Sequence, residues 1–125
     1  MDETERREQI RRFWEETGTD PEASHAIYHD DAVLEFPQSG ERFEGVANFK
    51  EWRSQYPAAV KLEMRELRGH GDVWVVEGAI SYDDGPWQPA LDILEFRGDK
   101  LARETIYLAP PWEAPEWRAR WRAAP

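Results

Sequence analysis

The order of elements predicts an α+β domain: helical patterns fill the first half of the chain and alternating strand patterns fill the second. Three observations lead there. Apolar residues recur at helical spacing from Glu5 to Glu16 and again after Gly45. Period-two alternation dominates from Lys61 to Leu108. The strands follow one another through turn residues instead of alternating with helices, so the sheet is expected to be antiparallel and not built from βαβ units. Helices on one face of such a sheet let it curl and leave a cavity.

Each element has its own signal. Ile10, Phe13 and Trp14 form the apolar stripe of the first helix, which Gly18 is expected to end. Asp20-Pro21-Glu22 starts a second, short helix reaching about Tyr28, with Asp20 as N-cap and Pro21 where its missing N–H costs nothing. His29-Asp30-Asp31 interrupts the pattern before a strand at Ala32–Phe36. Pro37-Gln38-Ser39-Gly40 turns the chain into a brief strand at Arg42–Glu44. Val46, Phe49, Trp52, Arg53 and Tyr56 stripe a third helix, which Pro57 stops. Four longer strands follow at about Lys61–Arg68, Val73–Tyr82, Gln88–Arg97 and Lys100–Leu108, joined by turns that include Asp83-Asp84-Gly85-Pro86 and Gly98-Asp99. In the tail, Pro115 is expected to open a short helical piece with Trp117 and Trp121 on one side. A length of 125 residues fits one domain, residues 1–125, with a core at about 5–108 and a Trp-rich tail at 109–125.

Composition narrows the function. Seven Trp, four Tyr and five Phe supply enough aromatic area for a real core and for the wall of an apolar pocket. A net charge of −10 repels phosphate backbones, which argues against nucleic acid, and it favours neutral or cationic small ligands. The absence of cysteine excludes disulfides, thiolate chemistry and Cys-type metal sites. The charged opening MDETERREQ lacks an apolar signal core, and no stretch approaches a membrane span. The expectation is a cytoplasmic protein without a membrane partner.

Three segments carry a family resemblance: Tyr28-His29-Asp30-Asp31-Ala32-Val33-Leu34-Glu35-Phe36-Pro37, then Phe43-Glu44-Gly45 running into the Phe49/Trp52 helix, then Asp92 through Glu104. In this order and spacing the chain resembles the SnoaL-like polyketide cyclase family of the nuclear-transport-factor-2-like superfamily. The resemblance implies a cone-shaped curved sheet wrapped around three helices, a pocket inside the cone, and a homodimer through the outer face of the sheet. It does not imply one reaction, because the superfamily holds isomerases, cyclases, dehydratases, epoxide hydrolases and non-enzymatic transport factors.

Strand alternation then picks out candidate site residues. Asp92 shares a face with Leu94 and Phe96, and a carboxylate on an apolar face has its charged form disfavoured. By resemblance it also matches the oxyanion-hole aspartate of ketosteroid isomerases; the plainer alternative is a structural Asp at a strand end. Glu104 lies inward if Leu108 does, on the neighbouring strand, where two carboxylates act as an acid/base pair or Glu104 bridges to Arg12 or Arg53. Phe36, Phe49, Trp52, Met64, Trp74 and Ile106 are expected to line the pocket. Val76, Ile80, Leu94 and Phe96 join them in the interior, while Val75, Ala79 and Tyr107 face outward. Apolar residues on both faces point to a second copy as partner.

The isomerase pattern is broken in one place that matters. Its general base is an Asp before the Pro that ends the first strand, and here that position is Phe36. The tyrosine of the first helix is missing too, with Arg11, Arg12 and Phe13 in that neighbourhood. The epoxide-hydrolase arrangement fails at Ile106 and in the absence of Arg from Val73–Tyr82. His25 and His29 stand four apart without a third ligand at diagnostic spacing, so no metal is expected; His25 is kept as an acid/base candidate and His70 as a loop residue. Two function classes follow: a cofactor-independent isomerase, cyclase or lyase using Asp92 with Glu104, and a non-catalytic protein that binds an apolar small molecule. A packed scaffolding dimer is a third.

Overall fold

The structure is a computed structural model and describes residues 1–124. Helix α1 runs Glu3–Thr19, opened by a capping box in which Asp2 accepts from the Glu5 backbone and Glu5 reaches back to Asp2. It passes through Gly18, so the break comes at Asp20, which caps the end of α1 and accepts from Ala23 as N-cap of α2, Pro21–Ser24. A 3-10 turn at His25–Ile27 replaces the remainder of the expected second helix. Strand β1 then begins at Tyr28 and runs to Phe36, so it takes in the Asp-rich stretch that reads as an interruption. Strand β2, Glu41–Glu44, returns antiparallel to it. Gly45, with φ 89, hands its N–H to Ala32 O at 2.8 Å and starts α3, Val46–Ser54. Tyr56 therefore lies beyond the helix.

The meander forms as expected: β3 Val60–His70, β4 Val73–Tyr82, β5 Gln88–Arg97 and β6 Lys100–Leu108. The sheet order is β2-β1-β6-β5-β4-β3. One expectation is corrected: β6 pairs with β1 in parallel, so the sheet is mixed. Hairpins force antiparallel neighbours, but β1 and β6 are joined by no hairpin, and the number of chain reversals between them leaves them running the same way.

The inner face packs on α1 and α3. Ile10, Phe13 and Trp14 meet Leu34, Val76, Leu94 and Leu101 in a shared core. Register shifts in β3 between Met64 and Glu66, and between β5 and β6 at Glu95/Phe96, keep Leu67 and Leu101 inside. At Gly78 α1 lies close against the sheet: a Cβ there would sit 2.7 Å from the Trp14 ring and 2.5 Å from Glu63 O. Val75 is half-buried and Tyr107 exposed on the outer face, as alternation predicts. Ala79 points the same way yet is fully buried, between its cross-strand neighbours Glu63 and Pro89. The tail carries a 3-10 segment, Glu116–Trp121, in which residues four apart do not stack. Trp112, Trp117 and Trp121 are 80%, 74% and 65% exposed. No helix among the described residues is long and apolar enough to cross a membrane.

Candidate functional site

A cavity of about 470 Å³ lies between the inner face of the sheet, the C-terminal half of α1, the α2 segment and α3. Its wall is aromatic and aliphatic: Phe13, Trp14, Phe36, Trp52, Ile80 and Ile106. Tyr56 and Tyr82, stacked at 6.1 Å, belong to the lining as well. Its polar part is a cluster of His25, Arg53, Asp92 and Glu104. Of the residues expected here, Asp92, Glu104, Phe36, Trp52 and Ile106 do line it.

Three do not. Phe49 is fully buried, its ring edge-on to Tyr28 at 5.1 Å. Trp74 sits near the Gly69–Gly71 end of β4, under the first half of α1; it is fully buried, stacks beneath Arg7 and donates to Gly71 O at 2.9 Å. Met64 faces a separate groove between α1 and β3, with Arg7, Arg11 and Leu67. Trp74 and Met64 point inward as alternation predicts, and Phe49 as the apolar stripe of α3 predicts, but all three sit away from this cavity. Among the described residues, none beyond Leu108 lines the cavity, so the tail does not close it.

β5 and β6 bring the two carboxylates together. Asp92 stands opposite Ile106 and Leu94 opposite Glu104, which makes Asp92 and Glu104 diagonal neighbours on the inner face. Glu104 accepts a short hydrogen bond from the Tyr28 hydroxyl. Arg53 Nη1 donates to Tyr28 Oη at 3.1 Å and to His25 Nε2 at 3.2 Å, while its Nη2 lies 3.8 Å from Glu104 Oε1. His25 Nδ1 is 2.6 Å from Pro21 O. A carbonyl cannot donate, so Nδ1 carries the proton and Nε2 is free to accept from Arg53. Burial, then the Arg53 charge, lowers the His25 pKa, consistent with that neutral ring. Burial also opposes the Arg53 charge, but Tyr28 and Glu104 outweigh it and raise its pKa. Burial pushes the Tyr28 hydroxyl well above its ordinary value, keeping it a donor.

Asp92 differs from the rest. Burial first, and the neighbouring Glu104 second, hold its pKa well above the ordinary carboxylate value, and the Arg53 charge only partly offsets them. Its Oδ1 has no hydrogen-bond partner. The arrangement is an Asp92 carboxyl that burial inclines to keep its proton, next to a Glu104 side chain already held by Tyr28 and Arg53. Such a group can donate a hydrogen bond or a proton to a molecule in the cavity.

Stability should register this proton. Because the folded-state pKa of Asp92 is raised, its favourable contribution is complete below its ordinary value of 3.8 and is lost as pH rises through the folded value. Asp92→Asn keeps the shape and cannot ionise. Its melting temperature should match the wild type near pH 3.5, then exceed it increasingly with pH. The slope is about 1.4 kcal/mol, or about 4 °C, per pH unit within the window. A pH-independent difference would place no raised proton on Asp92.

Asp92 and Glu104 are readable from the sequence as inward carboxylates, and Arg53 is one of the two arginines offered to Glu104, but Tyr28 as a member of the cluster is not readable. The helical pattern runs to about Tyr28, whereas the residue opens β1 with its side chain inward, on the far side of a register shift before Val33. His25 and His29, four apart in sequence, turn to different carbonyls, Pro21 O and Arg97 O.

Known proteins share this architecture. Residues 10–104 match the SnoaL-like domain. A nuclear-transport-factor-2-like protein of unknown function from Burkholderia xenovorans LB400 is 39% identical, with 94% of this chain and 93% of that one covered and a TM-score of 0.87. A candidate ketosteroid isomerase from Kribbella flavida DSM 17836 is 22% identical over 94% of this chain and 87% of that one, with a TM-score of 0.84. TerC, co-crystallised with polyporic acid, is 21% identical over 81% of this chain and 88% of that one, with a TM-score of 0.73. No curated protein matches the sequence. With the matched domain spanning most of the chain, and the fold shared throughout, this protein belongs to the SnoaL-like family of the nuclear-transport-factor-2-like superfamily.

Proposed function

We propose that the cavity is a cofactor-independent acid/base site for a flat, apolar carbonyl compound, of the isomerase, cyclase or dehydratase type. The observation that carries this reading is Asp92: buried, proton-retaining, lining the cavity and with Oδ1 unpaired. Asp92 donates to the carbonyl oxygen as negative charge develops there. Glu104, anchored by Tyr28 and Arg53, accepts the proton that leaves the carbon next to the carbonyl, so the enol forms with one proton taken from carbon and one given to oxygen. The aromatic wall holds the rings and excludes water. The neighbour co-crystallised with polyporic acid supports a small-molecule occupant. In the same reading, the strip of Val73, Val75, Ile93 and Tyr107 on the outer face of the sheet pairs two copies.

Phe36 supports a second reading. It fills the position where an isomerase base would stand and packs on Phe43 and Trp52. Without that base the cavity would bind its molecule and leave it unchanged. Deuterium exchange separates the two. A panel of polycyclic aryl ketones that carry an sp³ C–H beside the carbonyl, such as tetralones, is incubated with the protein in D2O, and label at that carbon is followed by mass spectrometry. Wild type is expected to accelerate exchange on at least one ketone, and Asp92→Asn to reduce that acceleration by about 10²–10⁴-fold. Ketones that bind without accelerated exchange establish the binding reading. Full exchange in Asp92→Asn removes Asp92 from the chemistry.

A further inference from the structure

Two buried side-chain polar atoms among the described residues have no hydrogen-bond partner: Trp52 Nε1 and Asp92 Oδ1. Both residues line the same cavity. Buried polar groups are nearly always paired, and each exception calls for a reason. The contrast with Trp74 is direct, because its equally hidden indole N–H is answered by Gly71 O at 2.9 Å. An indole N–H can only donate, so what answers Trp52 must be an acceptor.

Neither group is free to turn away and find water. The Trp52 ring is held by Phe43 at 5.0 Å, by Phe36 at 6.1 Å and by the Arg53 guanidinium at 5.3 Å. Asp92 is 5% exposed in β5, paired on both sides by β4 and β6. One orphan stands on the helix wall and the other on the sheet wall. The remaining polar groups of the cluster are already engaged: Arg53 with His25, Tyr28 and Glu104, and His25 Nδ1 with Pro21 O. The guanidinium is thus committed, and an anionic ligand would meet the Asp92/Glu104 pair with no cation left to answer it.

From this we infer that the molecule the cavity takes is uncharged, flat and largely apolar, with two oxygen functions set apart on its ring framework. One accepts from Trp52 Nε1–H and the other engages Asp92 Oδ1. Trp52 is thereby a specificity-determining residue as well as part of the aromatic wall. The inference rests on the cavity being a small-molecule site with Asp92 facing the ligand, as proposed above, and it adds the second polar point and the oxygen count.

The test uses fluorene, 9-fluorenone and the four positional isomers of hydroxy-9-fluorenone, which share one flat framework with none, one or two oxygens. Binding is measured calorimetrically to wild type and to Trp52→Phe, which keeps an aromatic ring and removes the N–H. Each oxygen is expected to tighten binding to wild type by about ten-fold, the second in at least one isomer. Trp52→Phe, which also gives up part of the aromatic wall, should weaken fluorene somewhat and in addition erase one of those two oxygen steps. On wild type, the Trp52 indole proton resonance should move downfield with the tight two-oxygen isomer and not with fluorene, a readout that needs no variant to fold. Equal weakening of every compound by Trp52→Phe, or an indole resonance that no oxygenated compound moves, overturns the inference. If none of the compounds binds, the cavity reading falls with it. If Trp52→Phe erases a step but Asp92→Asn leaves ketone exchange untouched, the inference stands and the catalytic proposal fails.

Discussion

Arg53→Met is expected to destabilise the fold by about 3 kcal/mol, and Glu104→Gln in the same chain is expected to restore most of it. Glu104 is 1% exposed, and Arg53 keeps only 21% of its side chain exposed. The 3.8 Å separation between them is long for an ion pair, so the direct attraction is not the main term. What matters is the charge left behind: without the guanidinium, Glu104 keeps the Tyr28 hydroxyl as a donor but has no cation beside it, and Tyr28 and His25 each lose a hydrogen bond. Met approximates the Arg stem but lacks the guanidinium, whose Cζ lies 5.9 Å from the Phe49 ring and 5.3 Å from the Trp52 ring, so the single-variant loss includes those contacts and the double-mutant cycle isolates the charge. Glu104→Gln removes the stranded charge and keeps an acceptor for Tyr28. Chemical denaturation of the four chains of the cycle gives the coupling, expected at about 2 kcal/mol. Additive losses would mean that Arg53 acts through packing alone.

Gly78→Ala is expected to cost about 3 kcal/mol and lower the melting temperature by about 10 °C. The added methyl would meet the Trp14 ring at 2.7 Å and the Glu63 carbonyl oxygen at 2.5 Å. A side chain end can yield, but backbone in the middle of the β3–β4 ladder cannot move without breaking cross-strand bonds. Displacing Trp14 would also shift α1 off the sheet and alter the cavity wall it forms. Gly40→Ala is a suitable contrast for space alone, since nothing lies within 4 Å of the place its methyl would take, although a φ of 75 adds backbone strain there. A Gly78→Ala chain as stable as wild type would show that α1 slides freely on β4.

Most of the fold is legible in sequence because it is built from local signals. The Asp20-Pro21 start, the Gly98-Asp99 turn, the alternation of β5 and that of β6 from Glu104 onward each act within a few residues, and the structure places them as read, while the register shift at Glu95/Phe96 breaks the β6 pattern at Leu101. The parallel contact of β1 with β6 is not local, and no turn announces it. The same division runs through the site. Asp92 and Glu104 are legible because alternation exposes a charge on an apolar face. Tyr28 is hidden by Asp30 and Asp31, which look like a break in the strand but are exposed on its outer stretch. Trp74 and Met64 read as pocket residues because alternation gives direction only. How far along the cone a side chain sits depends on where α1 covers the sheet, and that is set by contacts such as Trp14 on Gly78.

The parallel β1–β6 seam also sets a timetable. Tyr28 and Glu104, which it brings within a hydrogen bond, are 76 positions apart in the chain. Hairpins of the meander can form early, since their partners are close in sequence, whereas closing the seam must await the loss of freedom of the whole intervening chain. Asp92 and Glu104 are neighbours as soon as β5 and β6 pair, but their Tyr28 and Arg53 companions arrive only with that final closure. A nascent or partly unfolded chain therefore holds two adjacent, solvated carboxylates without the burial that raises the Asp92 pKa, and the chemistry of the cavity switches on only when the first strand has found the last.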